Sequence, residues 1–151
     1  MSDNGPNKRY IALKAEAGNW EEALRICGSA LIEGKCVGKG FVEACVNREK
    51  AFPTGLPTII PVAIPHAASD EVYKTSVCVL KLVKPIKFNR MDDNTKTIQA
   101  QLIFNLAVKE HTEHVDFLKK LIAFVMDEQQ IKKCLSLPIE DIPDYLESTV
   151  V

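Results

Sequence analysis

The stretch "TIQAQLIFNLAV" at residues 97–108 carries an apolar side chain at every second position: Ile98, Ala100, Leu102, Phe104, Leu106 and Val108. In an extended chain alternate side chains share a face, so this pattern specifies a long strand with that face buried, and its length suits the centre of a sheet. Central strands need partners on both edges. "KTSVCVLKL" at 74–82 also reads as a strand, with a turn at Pro85 after it, and "YIALKA" at 10–15, where Ile11 and Leu13 alternate with smaller or polar neighbours, reads as a short strand.

Other segments have the helical period. From Trp20, apolar residues at 20, 23, 24, 27, 30 and 31 form one stripe, with Asn19 and Glu22 spaced as an N-cap and its partner and Gly34 as the stop. A second helix is expected over "GFVEACVNREKAF", with Val42, Cys45, Val46 and Glu49 on one side, ended by Pro53 and Gly55. Late in the chain Val115, Leu118, Leu121, Ile122 and Val125 make a third stripe. Asp127 with Gln130 opens a further helix through Ile131, Cys134 and Leu135, and a last turn or two runs from Pro138 to Leu146. Two early helices, a few strands and the late helices together predict a single-domain α/β sandwich, a mixed β-sheet with α-helices on both faces.

At 151 residues the chain is of one-domain size, with residues 1–8 expected as a disordered N-terminal tail and 9–149 as the domain. Its 19 basic and 20 acidic residues are spread along the sequence and leave a formal charge of -1, so no basic footprint for nucleic acid or anionic lipid exists. Five cysteines without C-x-x-C spacing point to free thiols in a reducing cytoplasm. No apolar run approaches the ~20 residues that cross a bilayer.

The candidate chemistry is sparse. "GKCVGKG" at 34–40 has three residues between Gly34 and Gly38 where a Walker A loop needs four before Gly-Lys, and Gly40 follows Lys39 where a hydroxyl is required, so it reads as an interhelical turn. His111 and His114 are three apart at the start of a helix, a spacing that can hold a metal, but the remaining ligands of a closed site are missing, and no metal is expected. His66 is placed differently, in "PVAIPHAA" at 61–68. Pro65 restricts the path of the chain into it, the prolines at 53, 57, 61 and 65 hold the preceding loop extended, and Ala67, Ala68 and Ser69 leave room for an anion at the backbone. These features alone leave a structural histidine as plausible as a functional one.

"REKAFPTGL" at 48–56, "VAIPHAA" at 62–68, "AQLIFNLAV" at 100–108 and "EHVDFLKKL" at 113–121, in that order, resemble the enzyme IIA component, fructose/mannitol class (type 2), of the bacterial phosphoenolpyruvate-dependent sugar phosphotransferase system. The resemblance covers roughly residues 8 to 148, and the run "FPTG" at 52–55 is most similar to the galactitol-specific branch. It implies a cytoplasmic phosphotransferase without a cofactor. His66 would take a phosphoryl group from the phosphohistidine carrier HPr and pass it to a cysteine of an enzyme IIB, serving the membrane-embedded IIC. Arg48 and His114 align with the family's phosphoryl-stabilising residues. Where the family often has glycine after the active histidine this chain has Ala67, for which a left-handed backbone would be strained. Two other readings stand beside this one: a regulatory IIA paralogue whose phosphorylation state controls a protein partner, and a metal-binding protein using His66, His111 and His114.

Overall fold

The computed structural model describes residues 9–109 and 115–150; the expected tail, His111 and His114 lie outside them. The long alternating segment is β6 (Thr97–Val108), and it is central as expected. It pairs antiparallel with β5 (Ser76–Asn89), which pairs on its other edge in parallel with β1 (Tyr10–Ala15). The proline-rich segment expected as a loop contributes three short strands instead. β2 (Gly55–Leu56) pairs antiparallel with β3 (Val62–Ala63), and both β3 and β4 (His66–Ala68) run parallel to β6. Prolines exclude helix but leave the intervening residues extended, and extended residues beside an open strand edge take up its hydrogen bonds.

Each face of this mixed sheet has its own helical layer and core. α1 (Trp20–Glu33) and α2 (Gly40–Ala51) bury Leu24, Cys27, Leu31, Phe41, Cys45 and Val46 against Cys78, Leu80, Ile103 and Ala107. On the other face α3 (Val115–Val125), α4 (Glu128–Ser136) and α5 (Ile142–Thr149) cover Val77, Val79, Leu102, Phe104 and Leu106 with Leu121, Phe124, Ile131, Ile142 and Leu146. β6 is therefore buried on both faces over most of its length. Its alternate residues also divide: Ile98 and Ala100 join Ile86 and Phe88 in the first core, whereas Leu102, Phe104 and Leu106 belong to the second. The switch coincides with a register shift against β5 between Lys81 and Ile86. Pro85 lies inside that irregularity and does not end the strand, which is where a sheet tolerates a residue with no N–H.

Local signals are met with small differences. The Asn19 side chain caps α1 by accepting the Glu22 N–H at 2.8 Å, but the Glu22 carboxylate accepts the Gly18 N–H instead of closing the box on Asn19. α1 ends at Gly34, yet the left-handed residue is Lys35 (φ 62°). Gly34 is needed for space, since a Cβ there would sit 2.8 Å from Ile11 Cδ1. Asp127 caps α4 through the Gln129 N–H at 2.9 Å, while Gln130 accepts from the Tyr145 hydroxyl. In α3 the buried residues are Leu121, Phe124 and Val125; Val115 and Ile122, expected in the apolar stripe, are exposed. All five cysteines are free and buried, and burial pushes the Cys45 and Cys134 thiols up to about 12.

Candidate functional site

α2 is fixed at both ends to the segment that carries His66. At its N-terminus Lys39 supplies no side-chain cap; Glu71, in the loop after β4, accepts the Gly40 N–H at 3.1 Å instead. The same loop bonds the α1–α2 turn through Gly38 N to Glu71 O (2.7 Å) and Tyr73 N to Cys36 O (2.8 Å). "GKCVGKG" is thus the interhelical turn expected, with Lys35 and Lys39 exposed. At the C-terminal end Glu49 turns inward, and its two carboxylate oxygens accept the Thr54 N–H (2.9 Å) and hydroxyl (2.8 Å). Gly55 follows where there is no room for a side chain: a Cβ would lie 2.7 Å from Asn89 O and 2.8 Å from Ile98 Cγ1.

These restraints place His66 and Arg48 on one open cleft of about 740 Å³, with Phe52, Pro53 and Thr54 between them and the β5–β6 loop residues Met91, Asp92, Asp93 and Asn94 on the rim. His66 is half-buried. Its Nδ1 lies 2.8 Å from the Ile64 carbonyl oxygen, which can only accept, so Nδ1 carries a proton and the lone pair of the neutral ring is on Nε2. Asn105, buried in β6, donates to the Pro65 carbonyl at 3.1 Å and steadies the peptide leading into His66. Ala67 needs no left-handed backbone: it is a buried strand residue paired with Ala107, and Lys35 is the one described non-glycine residue with positive φ. Since residues 66–68 form a strand and not a nest, part of the backbone expected to face an anion is committed to β6.

Arg48 is exposed, and its guanidinium lies over the Phe52 ring, 4.8 Å from the centroid. Among the described residues it forms no ion pair, and Glu49 is occupied with Thr54. Its fork is therefore available to an anion, with the ring restricting its motion. The two acids on the rim are already engaged. Asp92 accepts both Arg90 Nε (2.8 Å) and Nη2 (2.5 Å), and Asp93 accepts the Thr95 N–H (3.0 Å) and hydroxyl (2.6 Å). The Arg90 hydrogen bonds hold the Asp92 carboxyl below its usual range, and those from Thr95 do the same for Asp93.

Among the described residues no group of three or more His, Cys, Asp or Glu could hold a metal ion, and no helix is long and apolar enough to cross a membrane. Of the apolar residues preceding His66, Val62 and Ile64 are core, whereas Ile59 is 79% exposed. Nothing in the sequence marks Glu49, Thr54 or the rim loop as part of this site. "FPTG" held Phe52 and Thr54 without showing that one would hold Arg48 and the other Glu49.

Burial lifts the Glu49 carboxyl from 4.5 to about 7, against the opposing effect of the two Thr54 bonds. The folded protein then binds this proton more tightly than the unfolded chain, so Glu49 contributes stability at pH below 4.5 that is lost as pH rises through about 7. The loss is on the order of 3 kcal/mol. Glu49→Gln can keep both contacts to Thr54 but cannot titrate; in urea denaturation at pH 5 and pH 8, wild type should lose about 2–3 kcal/mol more than this variant, whereas parallel curves would refute the assignment.

Comparison with known proteins bears on this geometry. A family model described as "Phosphoenolpyruvate-dependent sugar phosphotransferase system, EIIA 2" matches residues 6–148. The chain is 32% identical over 126 residues to the mannitol-specific EIICBA component of Escherichia coli (strain K12), covering 82% of this chain and 19% of that protein. It is 27% identical to the mannitol-specific phosphotransferase enzyme IIA component of Enterococcus faecalis, covering 90% of this chain and 92% of the relative. The ascorbate-specific EIIA component of Escherichia coli (strain K12) is 25% identical, covering 99% of this chain and 96% of the relative. The chain thus spans about a fifth of the first of these and nearly all of the other two. Among solved structures, IIA mannitol from Escherichia coli superposes with a TM-score of 0.72 at 25% identity, covering 97% of this chain and 98% of the other. A complex of enzyme IIAMTL with phosphorylated enzyme IIBMTL from the same organism contains a chain that superposes at 0.73 and 24% identity, covering 98% and 97%.

Proposed function

Because this chain belongs to the EIIA 2 family of the phosphoenolpyruvate-dependent sugar phosphotransferase system, we propose that it is a phosphocarrier that receives a phosphoryl group on His66 Nε2 from phosphorylated HPr and delivers it to a cysteine of an enzyme IIB. Enzyme IIA components are phosphotransferases that act through a phosphohistidine. The observation that carries the assignment to His66 is its Nδ1–H bond to the Ile64 carbonyl, which leaves the Nε2 lone pair as the nucleophile in the cleft that also holds Arg48.

The chemistry follows from these atoms. The Nε2 lone pair attacks phosphorus in line, the N–P bond of the donor phosphohistidine breaks, and its electron pair returns to the donor imidazole. The new phosphoimidazolium keeps its Nδ1 proton on Ile64 O, which stabilises the positive ring. Transfer onward forms an S–P bond to the IIB cysteine thiolate and returns the Nε2 pair to His66. Charge spreads over the three equatorial oxygens on the way, and the Arg48 fork is suited to two of them. His114 is assigned to phosphoryl stabilisation on the family resemblance.

The complex of a mannitol IIA with its phosphorylated IIB supports a IIB partner, and the EIICBA relative, with all three components in one chain, supports an indirect link to IIC. HPr and IIB would meet this chain in the cytoplasm. For the sugar, the relatives described above are mannitol- and ascorbate-specific, and none supports the galactitol reading of "FPTG". A mannitol-class polyol is the substrate we put forward for the whole system, recognised by IIC and not by this chain. The test is to label the chain from phosphoenolpyruvate through enzyme I and HPr, then add purified mannitol-type IIB. Label should move to the IIB cysteine, whereas label retained with mannitol-, ascorbate- and galactitol-type IIB alike would overturn the carrier role in favour of a regulatory one.

A further inference from the structure

An unbroken run of hydrogen bonds connects the end of α2 to the imidazole of His66. Glu49, 4% exposed, accepts the Thr54 N–H and hydroxyl; the Thr54 carbonyl accepts the Ile64 N–H at 3.2 Å; and the Ile64 carbonyl accepts His66 Nδ1–H at 2.8 Å. Ile64 lies in the break between β3 and β4, so its N–H is spent on Thr54 and not on the β6 ladder. Its carbonyl is therefore only as well placed as Thr54, and Thr54 is held by Glu49. A carboxyl buried with no ion pair among the described residues is costly, and the bonds it makes are what offsets the cost. The helix turn that carries Glu49 also carries Arg48, whose carbonyl accepts the Phe52 N–H at 2.7 Å and whose guanidinium rests on the Phe52 ring.

We propose that Glu49 is a positioning residue for phosphoryl transfer, holding through Thr54 the Ile64 carbonyl that keeps the proton on His66 Nδ1, and anchoring the last turn of α2 that presents Arg48 to the same cleft. This rests on His66 as the phosphorylated residue. A free imidazole in water prefers its proton on Nε2, the form that cannot attack from that nitrogen. Displacing the Ile64 carbonyl returns the ring towards that tautomer, so the fraction of competent molecules falls. Glu49 and Thr54 are 4% and 1% exposed, so neither side chain belongs to a surface on which HPr can dock. The effect therefore falls on kcat and spares KM.

Three substitutions separate this role from mere structural support. Glu49→Met keeps the volume but accepts nothing from Thr54, Thr54→Val removes the hydroxyl alone, and Glu49→Gln keeps an acceptor for the N–H and a donor for the hydroxyl oxygen. With phosphorylated HPr as donor, Glu49→Met should lower kcat by about 10- to 100-fold with KM within about twofold of wild type. Thr54→Val should fall between it and wild type, and Glu49→Gln should restore the rate to within about threefold. The 15N shifts of the His66 ring should show the Nδ1–H fraction falling in the same order. Wild-type kcat and an unchanged tautomer in both Glu49→Met and Thr54→Val would overturn the proposal, whatever happens to their melting temperatures. Label persisting on His66→Ala would instead remove the reading beneath it; no label there, with wild-type rates in the Glu49 and Thr54 variants, removes the positioning role alone.

Discussion

A His66→Ala variant incubated with phosphoenolpyruvate, enzyme I and HPr should take up no label above background, a fall of more than ~10³-fold in transfer rate. The size of the effect follows from the described residues that line the cleft, none of which besides His66 is an activated nucleophile. Phe52 and Pro53 offer no nucleophile, and the Arg48 guanidinium is a donor with no lone pair to give. Thr54 is 1% exposed and its hydroxyl is committed to Glu49, so its oxygen does not face an incoming phosphoryl group. Cys45 is packed between α2 and the sheet in the first core, with its thiol pushed up to about 12. The side chain itself is half-buried at the cleft, so its removal leaves the two cores intact, and the variant should unfold within about 1 kcal/mol of wild type. A folded variant that still accepts label would place the phosphoryl group elsewhere.

Phe104→Ala should produce the largest loss of stability, about 3–5 kcal/mol in urea or guanidinium denaturation. Phe104 is fully buried at the middle of the central strand, facing Val79 across the ladder. Its ring meets that of Phe124 edge-on at 6.3 Å and 69°, and Phe124 meets Tyr145 at 6.1 Å and 63°. One substitution therefore opens a cavity and ends an aromatic chain that joins the sheet to α3 and α5. Against a total stability of about 5–15 kcal/mol, a third or more is removed. Ile59→Ala, on a side chain 79% exposed, should stay within about 0.5 kcal/mol. A Phe104→Ala loss below about 1 kcal/mol would mean that the second core is not packed as described.

The alternation in "TIQAQLIFNLAV" was enough to identify the central strand, because period-two burial is encoded residue by residue. The same letters do not show that Ile98 and Ala100 belong to one core and Leu102, Phe104 and Leu106 to the other, since that switch depends on a register shift in a partner strand. Prolines 53 to 65 excluded helix correctly, but the pairing of Val62–Ala63 and His66–Ala68 needs an open edge of β6 some forty residues away. Helix caps were legible where donor and acceptor are neighbours, as at Asn19 and Asp127. The cap on Gly40 was not, because Glu71 reaches it from a loop thirty-one residues on.

The same contrast governs the site. His66 drew notice through the proline before it and Arg48 through its place in a family pattern. Glu49 read as one more apolar-side position of α2, since nothing local distinguishes a buried carboxyl with Thr54 as its partner from a solvated one. Asp92 and Asp93 reach the cleft only because the β5–β6 loop folds over Gly55, where Met91 N–H bonds the Gly55 carbonyl at 2.8 Å. Ala67 illustrates the reverse case. A family habit of glycine suggested strain, and pairing as a strand residue removes it.

The most direct measurement is the position of the phosphoryl group in the 15N-labelled, phosphorylated protein. A one-bond 15N–31P coupling on His66 Nε2, with the proton retained on Nδ1, is the predicted result. Phosphorus on His66 Nδ1, on His114 or on any cysteine would contradict the assignment of His66 Nε2 as the nucleophile.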